Sequence, residues 1–159
     1  MILYHGSNVP VEHPRLIKHL RTLDFGAGFY MTSDYDQAAR WAQLKAKRRR
    51  VGKPLVSVFD VDDLAYWRLK ILSFPAPAVE WLRYISANRR NVASVDDWDV
   101  VSGPVADDNT MPVLNLYLQG TYTEQEAIRR LLPQKLKDQY AFKTEQALAC
   151  LQFAEVKEL

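Results

Sequence analysis

The stretch Asp24-Phe25-Gly26-Ala27-Gly28-Phe29-Tyr30-Met31-Thr32 decides how the rest of the chain is read. Its two glycines permit backbone angles closed to other residues, so Asp24 to Gly28 reads as a turn and Phe29-Tyr30-Met31 as a short apolar strand leaving it. A phosphate-binding glycine fingerprint would need fuller spacing and a helix next; here a strand follows, which removes that reading. Downstream, Thr32 or Ser33 is placed to cap a helix, Ser33 with Asp36 fitting the capping pattern, and Ala38, Ala39, Trp41, Ala42 and Leu44 continue it. The helix runs out in Lys45, Lys47, Arg48, Arg49 and Arg50, where cations meet the negative end of the helix dipole. Upstream, Ile2-Leu3-Tyr4 reads as a strand ending at His5-Gly6-Ser7.

Beyond this nucleus, Leu55 to Val61 is β-branched or aromatic at Val56, Val58, Phe59 and Val61 and reads as a strand entering Asp62-Asp63. Ala78 to Asn88 places Trp81, Leu82 and Ile85 on one helical face. Trp98 to Val101 and Val113 to Leu118 read as strands, and Glu124 to Leu132 as a helix stopped by Pro133. Gln139 to Phe142 reads as a strand, Thr144 caps a short helix through Leu151, and Phe153, Ala154 and Val156 close with another strand. Short strands interleaved irregularly with short helices predict an α+β fold rather than a repeating βαβ sheet. At 159 residues the expectation is one domain spanning 1–159.

A formal net charge of +2 gives no overall electrostatic reason to expect nucleic acid or a membrane surface. The distribution is less even, with seven Lys/Arg and no acid from Arg40 to Lys53, and seven Asp/Glu and no Lys/Arg from Asn91 to Ile128. The basic run has no interleaved aromatics and reads first as a solvated helix end, so nucleic acid is not the favoured partner. Asp96, Asp97, Asp99, Asp107 and Asp108 miss the calcium-loop spacing and read as turn and strand-end residues, with Asp107-Asp108 a candidate to face the cleft. A single cysteine, Cys150, excludes an internal disulfide, and in its apolar setting it reads as a small core residue. His13 and His19 have no partners at ligand spacing, so no metal is expected. The first residues lack the apolar run of a secretory signal and no stretch reaches membrane-spanning length, so a cytoplasmic protein is expected.

Taken in order, Tyr4-His5-Gly6-Ser7, Asp24 to Thr32 and Asp138-Gln139-Tyr140-Ala141-Phe142 resemble the His-Tyr-Glu class of ADP-ribosyltransferases, the diphtheria-toxin-like and poly(ADP-ribose) polymerase-like superfamily. The chain is also similar to a bacterial family described as toxin-like, which shares Phe-Gly-x-Gly-Phe-Tyr, Gln37, Ala38, Trp41 and Ala42 in the following helix, and Asp99 to Ala106 as Asp-Val-Val-x-Gly-Pro-Val-Ala. The resemblance implies a split β-sheet core with short peripheral helices, and NAD as substrate. By it, His5 hydrogen-bonds the nicotinamide-side ribose, Gly6 pairs through its backbone with the carboxamide, and Tyr30 and Trp41 cover the two faces of the nicotinamide ring. Ser7 or Thr32 adds a hydroxyl, and Gly28 belongs to the NAD-binding turn.

The superfamily's third member is a Glu, and the matching position here is Gln139. A neutral amide orients a ribose hydroxyl without supplying a carboxylate's charge. Three readings stay open: Asp138 or Glu145 occupies the site instead, Gln139 suffices for single transfer, or the domain binds NAD without turning it over. The resemblance thus implies mono-ADP-ribosylation by the toxin of a toxin-antitoxin pair, with a small antitoxin protein and an acceptor macromolecule as partners. The alternative is a silent NAD- or ADP-ribose-binding sensor.

Overall fold

The computed structural model describes residues 1–17, 23–91 and 96–159; His19 lies outside them. The chain is mixed α+β, with two sheets whose inner faces share a core. The first sheet has three antiparallel strands. Its centre is β3 (Leu55–Val61), buried at every residue except Asp60, flanked by β1 (Ile2–Ser7) and β7 (Leu151–Glu158) in the order β1-β3-β7. The second sheet runs β2-β6-β5-β4, where β2 is Phe29–Met31, β4 Ile71–Ser73, β5 Val100–Pro104 and β6 Asp138–Phe142. Its β4–β5 pair is parallel and the rest antiparallel.

Between the sheets lie Leu3, Phe29, Met31, Phe59, Val100 and Phe142. On the outer face of the first sheet, α1 (Tyr35–Arg49) seats Ala38 and Ala42 against Val56 and Val58. The outer face of the second sheet carries Val101 and Ala141, covered by α3 (Val79–Arg89), α4 (Met111–Leu118) and α5 (Glu124–Leu131). Trp81 anchors α3: it is fully buried and its indole N–H donates to Pro104 O at 2.8 Å.

Several elements differ from the sequence reading, each for a local reason. Val113 to Leu118 is not a strand but lies within α4; Pro112 stands in the first turn, where its missing N–H costs nothing, and Leu114 is buried from a helical position. Neither Thr32 nor Ser33 caps α1. Asp34 does, accepting from Gln37 N at 2.8 Å, because Ser33 is already bound to Asp138. The strand expected from Trp98 starts at Val100, since Asp99 accepts instead from Lys70 N and Thr144 Oγ1. Thr144 does cap α6, but this helix spans only Glu145–Leu148; Cys150 follows it, buried, and Leu151 already belongs to β7. The short α2 (Asp63–Tyr66) and β4 were not anticipated.

Candidate functional site

Among the described residues the two sheets touch through the main chain at one place. Tyr4 and Thr32 exchange both backbone hydrogen bonds, at 2.8 and 3.0 Å, and the antiparallel register would next bring Gly6 opposite Tyr30. That pairing does not form. Instead the strands part, and the His5 side chain occupies the opening, its Nδ1–H donating to Tyr30 O at 2.7 Å. The imidazole also stacks on Phe29, centroids 4.3 Å apart. A carbonyl partner fixes the Nδ1–H tautomer and leaves Nε2 as an acceptor. Burial holds the His5 pKa down, from 6.5 to about 4, against the pull of the Tyr30 carbonyl and with help from the Lys45 charge. No sealed side-chain nitrogen or oxygen among the described residues lacks a partner, so Nε2, which has none, keeps contact with solvent.

Successive residues of a strand point their backbone groups to opposite sides. Because Tyr4 faces Thr32, Gly6 N–H and C=O project the same way, into the opening beyond the bridge. The reason for glycine here is packing: a Cβ would lie 2.0 Å from Ala38 O and 2.9 Å from Ala42 N, so only glycine lets α1 close on β1. Gly28 is similar, with Phe142 O 3.0 Å from where its Cβ would sit.

Tyr30 lies on the outer face of the second sheet beside Ala141. Its hydroxyl accepts from Phe25 N at 3.0 Å and donates to Gly26 O at 2.5 Å, so the ring is tethered to the turn that precedes its own strand. Burial, opposed by the Phe25 N–H, raises the hydroxyl's pKa above the usual tyrosine range. The same turn is held from outside by Asn88, donating to Asp24 O, and by Lys143, donating to Phe25 O at 2.8 Å.

Trp41 is half-buried on α1, one turn after Gln37 and one turn before Lys45. Gln37 reaches Asp138 O at 2.9 Å, and Lys45 acts on His5 through its charge, so this helix face runs from the start of β6 to the imidazole. Thr32 spends its hydroxyl on Asp138 and as acceptor for Asp34 N. Ser7 is buried, with a long 3.5 Å contact from Val9 N.

At the third position, Gln139 is 4% exposed and its Nε2 donates to Asp24 Oδ2 at 3.3 Å. Asp24, also buried, is gripped through Oδ1 by Arg89, with Nε at 2.6 Å. The alternatives lie elsewhere. Asp138 is consumed stapling Thr32 and Ser33, and Glu145 is exposed past the opposite end of β6. In the sequence Asp24 reads only as the start of a turn, and Arg89 carries no signal that singles it out. The contact of Asp24 with Gln139 spans 115 residues and arises from sheet register, for which the sequence carries no local signal.

A family model described as a protein of unknown function, DUF3990, matches residues 1–153. The chain belongs to the DUF3990 family. No curated protein and no solved structure matches it. In this DUF3990 chain the surface cations are unevenly paired. Lys53, Lys70, Arg83 and Lys137 each meet a carboxylate, whereas Lys47, Arg48, Arg49 and Arg50 have no acidic partner among the described residues. Asp107 caps the turn at Thr110, while Asp108 reaches across to Arg40 of α1.

Proposed function

We propose that this chain binds NAD where β1 parts from β2 and transfers its ADP-ribose, once, to an acceptor macromolecule. The observation that carries the reading is the opening itself, with the unpaired main-chain edge of Gly6 on one side, Tyr30 on the other and a neutral imidazole between them. A main-chain N–H and C=O side by side match a carboxamide, which needs one acceptor and one donor. Neutral His5 offers Nε2 to a ribose hydroxyl, and Tyr30 and Trp41 supply the aromatic surfaces for the nicotinamide ring. The two sheets, joined at a single bridge among the described residues, are also what supports the split core of the ADP-ribosyltransferase type.

In the reaction the bond between the ribose anomeric carbon and the nicotinamide nitrogen breaks, and its electron pair leaves with nicotinamide. The acceptor's nucleophilic atom then bonds that carbon and releases a proton. Gln139 orients the ribose without forming a bond to it. The cations at the end of α1, which meet no carboxylate among the described residues, favour an acidic surface on what docks there, acceptor or small antitoxin. Work as an intracellular toxin is the setting this reading implies. Gln139 in place of a carboxylate favours the second reading, a sensor that holds NAD without cleaving it.

The deciding experiment incubates purified protein with labelled NAD and a whole-cell lysate, and scores label transfer and free nicotinamide for wild type, His5→Ala and Gln139→Ala. Transfer by wild type that is lost in His5→Ala is the expected result. NAD binding with neither transfer nor nicotinamide release leaves the sensor, and no binding at all removes both.

A further inference from the structure

The buried group behind Gln139 bears on what this position can do. A side-chain amide has a donor end and an acceptor end, and only its partners decide which way it points. Here the partner is an aspartate: Asp24 Oδ2 stands 3.3 Å from the amide, and Arg89 holds the other oxygen, so Oδ2 is left to Gln139. An ionised carboxylate only accepts, so it selects the Nε2 end and turns Oε1 away. Among the described residues Oε1 has no partner and no sealed side-chain oxygen is without one, so the small exposed part of Gln139 includes Oε1. The turn that delivers Asp24 is the same one that tethers Tyr30, so the carboxylate, the amide and the ring are set by a single element.

We propose that Asp24 is a positioning residue for Gln139: it presents the amide oxygen to the cleft as an acceptor for a ribose hydroxyl, and its charge makes that oxygen more negative. Hydrogen-bonded chains polarise one another in a low-dielectric setting, so an amide that donates to a carboxylate is a better acceptor at its other end. The negative charge missing from the strand is thus present one hydrogen bond behind it. This role rests on the transfer reading above, and it explains how Gln139 supports single transfer.

The test combines two substitutions and reads nicotinamide release, NAD binding by tryptophan fluorescence and the pH profile. Asp24→Asn keeps size and an acceptor oxygen but removes the charge. It is expected to lower nicotinamide release about tenfold in the wild-type background, the scale of one charge-assisted hydrogen bond, and less than about twofold in Gln139→Ala. Equal losses in the two backgrounds, with circular dichroism unchanged, overturn the proposal.

Gln139→Glu sets a second carboxyl against Asp24, and two carboxylates that close do not both ionise readily. Its nicotinamide release is expected to climb with pH, whereas Asp24→Asn combined with Gln139→Glu is at its plateau near neutrality. Coincident profiles overturn the proposal as well. Wild type that shows no response to NAD removes the transfer reading and the role of Asp24 with it. Wild type that cleaves NAD without coupling between positions 24 and 139 removes the role of Asp24 alone.

Discussion

Two parts of the candidate site, one on β1 and one on β6, are built from different materials. On the β1 side the groups facing inward are main chain, the N–H and C=O of Gly6, and their position is set by how closely α1 packs on the strand. On β6, which lies behind β2, the groups are side chains, Gln139 backed by Asp24 and Arg89, and their position is set by hydrogen bonds between residues far apart in sequence. The first side is altered only by disturbing the fold. The second is open to chemical change while the strands stay where they are.

Gly6→Ala breaks this contrast most severely. Its methyl group would overlap Ala38 O, so α1 has to lift from β1, and a loss of about 3 kcal/mol or more in urea unfolding is expected. Full stability with unchanged structure would show that α1 does not fix the Gly6 edge. In the other part, Asp24→Ala leaves Arg89 without its buried partner and Gln139 without its acceptor. We expect a cost of about 2 to 3 kcal/mol, below that of a fully buried pair because the Arg89 side chain is 28% exposed. Asp24→Asn should recover part of it.

A third comparison uses pH. His5 has a lower pKa folded, about 4, than its ordinary 6.5, so the unfolded chain binds the proton more readily. Its contribution is present in full above 6.5 and is lost as pH falls toward 4. Urea midpoints at pH 7 and 5 should therefore fall further apart in wild type than in His5→Gln, which cannot titrate there; equal differences would mean that the imidazole is not held neutral. The smallest effect on the fold is expected at the end of α1. Replacing Arg48, Arg49 and Arg50 by Ser should leave the urea midpoint in place while flattening the salt dependence of binding to an anionic polymer such as heparin, since each bound cation releases counterions. An unchanged slope would assign the run to solvated surface.

Much of the architecture was legible because it is local. The turn from Asp24 to Gly28, the β-branched and aromatic run of β3 and the face carrying Trp81, Leu82 and Ile85 each announce one element, and each forms. Val113 to Leu118 misled because a short apolar run fits either strand or buried helix, and the deciding residue, Pro112, lies just outside it. The candidate site divides the same way. His5 and Tyr30 belong to recognisable motifs and meet in the structure, whereas Asp24 was visible only as a turn former. Its contact with Gln139 depends on how β6 is registered between β2 and β5, a property of the assembled sheet.

The Tyr4–Thr32 bridge has a consequence for motion. Among the described residues its two hydrogen bonds are the only main-chain links between the sheets, so parting the sheets at this seam must release both amide protons together. Their exchange with deuterated solvent is therefore a clock for the opening of the cleft, running whether or not any ligand is present. A molecule that sits across the seam will slow both protons by the same factor, whatever reaction it then undergoes.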